Sequence, residues 1–139
     1  MTIEIYTDGS CKNNPGECGY AFVVYDNDEK IYEEYKYLGM GTNNIGEWMA
    51  IYRTLKWLKE NEYNECKIFS DSNLVIKQIT KEWKIKNANL KKIYNMCVQY
   101  NDLKVKYIWV KAHSNNEKNN YVDSLAKKSI EYHYFSNYR

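Results

Sequence analysis

Four carboxylates, Asp8, Glu47, Asp71 and Asp123, lie far apart in a chain of 139 residues, yet each falls near the start or end of an expected secondary-structure element. Taken singly, each reads as a surface or cap residue. Taken together, they come from four separate elements that could aim at one point above a sheet. Like charges held that close raise one another's pKa and destabilise a fold unless cations neutralise them. Oxygen-only ligands select hard cations, so Mg²⁺ or Mn²⁺ is the expected partner. Two such ions about 3.5–4 Å apart can clamp the attacking and leaving oxygens of an in-line phosphoryl displacement.

The elements that must position these groups are legible from periodicity. Thr2 to Asp8 alternates Ile3, Ile5 and Thr7 with Glu4, Tyr6 and Asp8, which predicts a strand ending at Asp8. A polar turn through Asn13, Asn14, Pro15 and Gly16 leads to a second strand, Gly19 to Tyr25, whose Tyr20 and Tyr25 are expected in the core. Ile31 to Leu38 completes an antiparallel meander. Thr42, Asn43 and Asn44 supply caps for a helix reaching about Asn61, with Glu47 expected in its first turn. Cys66 to Asp71 reads as a fourth strand, Ser72 as the cap of a short helix, Asn89 to Tyr100 as another helix, and Val105 to Val110 as a fifth strand. A last helix opens at Asn119 or Asn120. Tyr132, Tyr134, Phe135 and Tyr138 end the chain as an aromatic cluster, expected to pack on the sheet edge or fray.

This β-β-β-α-β-α-α-β-α order predicts an α/β fold: a mixed five-stranded sheet, a meander plus two parallel strands, flanked by helices in one domain over 1–139. Parallel strands beside a crossover bring their C-terminal ends together, where ligands bind in such sheets. Asp8 and Asp71 are expected at two such ends.

Composition narrows the function classes. A hydrophobic fraction of 44% with one Pro excludes a largely disordered chain. No apolar run reaches the ~18–20 residues of a membrane span and no signal pattern opens the chain, so a cytoplasmic protein is expected. The net charge of +2 argues against a protein that holds nucleic acid by bulk charge. The charge is uneven: residues 1–65 carry 12 acidic and 6 basic side chains, and the remainder 6 acidic and 14 basic. Eighteen basic residues are Lys, suited to phosphates rather than to bidentate base reading, and the two Arg are Arg53 and Arg139. Cys11, Cys18, Cys66 and Cys97 lack zinc-site spacing and are expected as four free thiols.

Five segments in order, Y-T-D-G-S-C with N-N-P-G (6–16), T-N-N-x-x-E (42–47), S-D-S (70–72), W-V-K-A-H (109–113) and N-x-x-x-D-S-L-A (119–126), resemble ribonuclease H of type 1. The resemblance covers nearly the whole chain. It implies a catalytic, metal-binding quartet of Asp8, Glu47, Asp71 and Asp123. It also implies hydrolysis of the RNA strand of an RNA–DNA hybrid with two Mg²⁺ ions, leaving a 5′-phosphate and a 3′-hydroxyl. His113 matches a loop histidine that positions the nucleophile or helps release product. Asn14, Asn43 and Asn44 match asparagines along the hybrid's minor groove, where 2′-hydroxyls are exposed. Their residue types also suit turns and caps. Thr42 and Asn14 match a pocket for a DNA-strand phosphate, Asn73 stands where many members carry Gln, and Asn119 opens the last motif as a further substrate contact.

The sequence also departs from the family. Met40 replaces an Arg of the phosphate pocket, and Gly46 stands where a better helix former is usual, a cost of about 1 kcal/mol. The segment between Asp71 and His113 is too short for the basic protrusion of some members, and no N-terminal hybrid-binding domain is expected. In place of the protrusion, Lys77, Lys81, Lys84, Lys86, Lys91 and Lys92 surround Trp83, opposed by Glu82. Lys81, Lys84 and Lys86 are the expected substrate contacts on this face; a plain solvated helix surface is the other reading. A monomer with no obligate protein partner is expected. A DNA-acting nuclease of the same fold and a non-catalytic hybrid-binding module are the competing functions.

Overall fold

The computed structural model describes residues 3–137. β1 (Ile3–Lys12), β2 (Gly16–Asp26) and β3 (Glu29–Gly41) form the meander, followed by α1 (Asn43–Glu60), β4 (Glu65–Ser70), α2 (Asn73–Ile79) and α3 (Ala88–Cys97). A single 3-10 turn (Val98–Tyr100), β5 (Lys104–Trp109) and α4 (Glu117–Asn137) complete the chain. The sheet order is β3-β2-β1-β4-β5. β1–β2 and β2–β3 pair antiparallel, while β1–β4 and β4–β5 pair parallel. This is the mixed sheet that the sequence predicts.

Strand alternation fills both faces. Tyr20, Phe22 and Val24 of β2 enter the core beneath α1 and α3, while Ala21, Val23 and Tyr25 enter the core beneath α4. The long apolar run of β2 follows from this two-sided burial, because a strand covered on both faces has no solvent side for polar residues. Trp48 is fully buried, and its indole N–H donates to Gln78 Oε1 at 2.9 Å. That bond joins α1 to α2 through the core and satisfies two polar groups that burial would otherwise penalise.

Several local expectations need correction. Asp8 does not end β1: the parallel pairing to β4 stops at Thr7 and Ser70, but the antiparallel pairing to β2 continues to Lys12. Glu47 is the fifth residue of α1, past its first turn, and Asp123 is the seventh of α4, because that helix begins at Glu117. Cys11 and Cys18 are not free thiols. They are direct cross-strand partners in the β1–β2 ladder, with Cα atoms 4.0 Å apart, and their sulfurs are bonded. The hairpin register puts the two side chains directly opposite one another on one face of the sheet. Cys66 and Cys97 are free and buried, as expected.

α4 continues through the aromatic segment as helix. Tyr132 packs near Tyr35, with ring centroids 5.9 Å apart, and His133 stacks on Tyr37 at 3.6 Å, so this end of α4 packs against β3. The side chain of Phe135, along with Tyr138, lies outside the described residues.

The approach of α1 to the sheet depends on two glycines. A Cβ on Gly9 would lie 2.4 Å from the Glu47 backbone nitrogen and 2.4 Å from the Gly46 carbonyl carbon. A Cβ on Gly46 would lie 3.1 Å from the Gly19 carbonyl oxygen. Gly46 therefore lowers helix propensity but lets Glu47 reach β1. Gly9→Ala should force α1 away from β1, lowering unfolding free energy by about 1–3 kcal/mol or more in a urea titration. Wild-type stability in that variant would show that the contact is not tight.

Candidate active site

β1 and β4 run side by side up to the Thr7–Ser70 pair, and Asp8 and Asp71 follow immediately. The Val110 N–H donates to the Ser70 carbonyl at 2.9 Å, extending the β4–β5 ladder by one rung and fixing the backbone just before Asp71. From the other layer, the Gly9–Gly46 contact delivers Glu47. Asp8, Glu47 and Asp71 each offer an oxygen such that all three atoms lie within 4.8 Å of one another.

Burial and like charge dominate the electrostatics. Burial, then the charges of Glu47 and Asp71, push the Asp8 carboxyl well above the ordinary aspartate range. Burial raises Glu47 from 4.5 to about 7, and the charges of Asp71 and Asp123 push the same way, although hydrogen bonds from Asp8 and the Gly9 backbone pull against them. Asp71 is raised chiefly by burial and then by Asp123, against a hydrogen bond from Asn119 and the influence of His113. Asp8 Oδ2 and Glu47 Oε2 are buried without a hydrogen-bond partner. Buried orphan acceptors are costly, and a hard divalent cation is the ligand such oxygens accept. The residues therefore fit the metal that the sequence implies.

The other expected residues fall into distinct positions. Asp123 is half-buried on α4, and its Oδ2 lies 3.1 Å from Lys127 Nζ one turn onward. Its charge is felt by Glu47 and Asp71, but it is not within the tight three-carboxylate cluster. His113 is exposed on the β5–α4 loop at φ +51°, near enough to influence Asp71. On the other shoulder, Thr42 caps α1 by accepting from the Ile45 N–H, and Asn14 Oδ1 accepts from the Asn43 N–H at 3.1 Å. Asn43, Asn44 and Asn14 keep exposed positions there, as does Asn73 at the start of α2. Met40 is 75% exposed. Lys81 and Lys84 line a surface groove with Gln78, Trp83, Lys91 and Tyr94, and Lys86 is exposed just beyond it.

Asn119 departs from its expected role. It is buried, and its amide donates to Asp71 Oδ2 at 3.4 Å, so the side chain holds a carboxylate of the cluster. Trp109 was given no role by its sequence, yet its indole N–H donates to the Asp71 carbonyl oxygen at 3.1 Å. Only its place in the W-V-K-A-H segment signalled it.

A raised carboxyl pKa means the folded chain keeps a proton that the unfolded chain releases. Glu47 therefore contributes stability that is fully present below about 4.5 and lost as pH rises to about 7. Without divalent ions, thermal melts should show stability falling across this interval, Glu47 alone contributing roughly 3 kcal/mol at about 1.4 kcal/mol per pH unit, with the raised Asp8 and Asp71 adding in the same direction. Glu47→Gln should flatten the decline. A metal-free melting temperature that climbs between pH 5 and about 7 would contradict the assignment.

Comparison with known proteins agrees with this geometry. The RNase H family model matches residues 1–131. A ribonuclease H from Campylobacter jejuni is 40% identical, the match covering 91% of this chain and 90% of that protein. A ribonuclease H from Treponema denticola is 34% identical, covering 94% and 98%. Among solved structures, LC11-RNase H1 in complex with an RNA/DNA hybrid superposes with a TM-score of 0.85 at 26% identity, covering 94% of this chain and 98% of that one. The N-terminal RNase H domain of Rv2228c from Mycobacterium tuberculosis gives 0.83 at 28% identity, covering 94% and 99%. With its mixed sheet and converging carboxylates, the chain belongs to the RNase H family of nucleases.

Proposed function

We propose that residues 1–139 act as a single catalytic unit that hydrolyses the RNA strand of RNA–DNA hybrids endonucleolytically, leaving 5′-phosphate and 3′-hydroxyl ends. The observation that carries this reading is the convergence of Asp8, Glu47 and Asp71 with two buried, unpartnered carboxylate oxygens. Asp8, Glu47, Asp71 and Asp123 would hold two Mg²⁺ ions, with Mn²⁺ able to substitute. When bound, these ions supply Lewis-acid stabilisation of phosphate charge and a water acidic enough to attack near neutral pH.

The chain's own groups do the remaining work. Asn119 and Trp109 fix Asp71 from its side chain and its backbone, so that the carboxylate faces the cluster. His113, exposed beside Asp71, orients the attacking water or helps the product leave. Asn14, Thr42, Asn43, Asn44 and Asn73 present amides and a hydroxyl to the minor groove and to a backbone phosphate, where a 2′-hydroxyl distinguishes RNA from DNA. Lys81, Lys84 and Lys86, beside the exposed Trp83, grip the duplex farther out. The structural neighbour solved with an RNA/DNA hybrid supports this choice of substrate. A cytoplasmic monomer with no obligate partner completes the proposal.

A labelled RNA–DNA hybrid should be cut only with Mg²⁺ or Mn²⁺ present, and Asp8→Asn should abolish cutting while leaving the fold intact by circular dichroism. Activity in chelator, or equal cutting of double-stranded DNA, would defeat the proposal. A second measurement addresses the lysine face. Changing Lys81, Lys84 and Lys86 together to Ala should flatten the log–log salt dependence of hybrid binding, by about 0.9 per lost phosphate contact as for B-DNA. An unaltered slope would mean a merely solvated surface.

A further inference from the structure

The two faces of the sheet are not covered equally. α4 packs on β1, β2 and β3, leaving the same face of β4 and β5 to solvent. Lys67 and Phe69 of β4 point to that face, and their registered partners on β5 are Lys106 and Ile108. Lys104 lies two residues before Lys106 and therefore on the same side. Lys67, Lys104 and Lys106 form no ion pair among the described residues. Glu65, at the far end of this face, directly opposes Lys104 in the β4–β5 register without an ion pair, and Glu4, next to Lys67 in the β1–β4 register, is engaged by Lys118 at 3.5 Å.

This arrangement is unfavourable for the isolated fold. Lys67 and Lys106 are directly opposed like charges, which destabilise a sheet. The face also combines these cations with an aromatic ring: Phe69 is half-buried and stacks on Tyr6, with centroids 4.5 Å apart and planes 5° apart. A groove lined by Lys67, Lys104 and Lys106, with Glu65, Cys66 and Val105, lies on this part of the sheet. Unpaired lysines beside an aromatic ring suit single-stranded nucleic acid, whose phosphates and base faces they match. The face is also continuous with the candidate active site, because Phe69 of β4 stands two residues before Asp71, which follows the strand's end.

We infer that this open β4–β5 face binds an unpaired RNA tail that extends from the hybrid past the active site. RNA is the strand chosen because the proposed carboxylate site holds the RNA strand at the upper ends of these same strands. The inference rests on the hybrid-cleaving function proposed above and adds a second, single-strand path to it. The chain then favours hybrids with RNA overhangs over blunt ones.

The test uses the Asp8→Asn protein with Mg²⁺, measuring fluorescence anisotropy of a blunt hybrid and of hybrids carrying an unpaired RNA or DNA tail at either end. The RNA-tailed hybrid should bind more tightly than the blunt one by roughly tenfold, the scale of three exposed charge contacts. Lys67→Ala, Lys104→Ala and Lys106→Ala combined should bring that ratio to about one and reduce the salt slope for the RNA-tailed hybrid by about 0.7 per contact. Lys81, Lys84 and Lys86 changed to Ala should instead weaken blunt and tailed hybrids together. The melting temperature of the β4–β5 variant should change little, since the Lys67–Lys106 like-charge pair and the Lys104–Glu65 opposition are lost together. Should the Ala variant misfold, the corresponding Gln variant makes the same comparison.

An RNA tail that adds no affinity, a DNA tail that adds as much, or displacement of the tail by polyglutamate as readily as by RNA would each overturn the inference. Failure of the wild-type enzyme to cut a blunt hybrid would instead overturn the function on which it rests.

Discussion

Repulsion among buried carboxylates is the constraint that the rest of the molecule must withstand. Asp8, Glu47 and Asp71 are brought together where burial already disfavours their charged forms. Left to themselves, these groups would separate or protonate. The scaffold resists through several contacts: Gly9 against Gly46, Trp48 bonded to Gln78, and Asn119 and Trp109 bonded to Asp71. Each constrains an element that carries one of the acids. Stability given up at the site is restored by packing around it, in keeping with the usual opposition between stability and activity.

Much of this was readable from the residues. The alternation of Ile3, Ile5 and Thr7, the helical spacing after Thr42 and the capping chemistry of Thr42 and Ser72 give the correct elements, because local patterning and capping set them. The sheet order follows from the meander and the two helix-linked strands. What resisted reading was tertiary. Whether Asp8 ends a strand depends on which neighbour is considered, since β4 stops pairing there and β2 does not. The Cys11–Cys18 bond needs the hairpin register, which a turn of uncertain length does not disclose. The inward orientation of Asn119 depends on how α4 sits over β1, and no local pattern encodes that.

The distribution of charge also looks different in three dimensions. Arg53, one of the two Arg in the chain, is not on a nucleic-acid surface: its Nε lies 3.2 Å from Glu34, which also accepts a hydrogen bond from the Tyr20 hydroxyl, so it joins α1 to β3. The lysines are therefore left to provide the positive surface. They do so at two separate places, the groove beside Trp83 and the open side of β4 and β5. A net charge of +2 conceals this division, because acids of the first half are held in the sheet and helix that build the site.

The central position of β1 has a consequence for how the chain is made. β1 is synthesised before its partner β4, which arrives some 60 residues later, with Glu4 paired to Lys67. Asp123 follows later still, on the last helix. Loop closure over such separations is slow compared with hairpin formation, so the meander can form early while the carboxylate-bearing end of the sheet remains unassembled. A ribosome-bound intermediate that ends before β4 therefore carries Asp8 and Glu47 without Asp71, and the three-carboxylate cluster forms only once β4 has been synthesised. The order of synthesis thus spares the nascent meander the mutual repulsion of these carboxylates until β4 joins it.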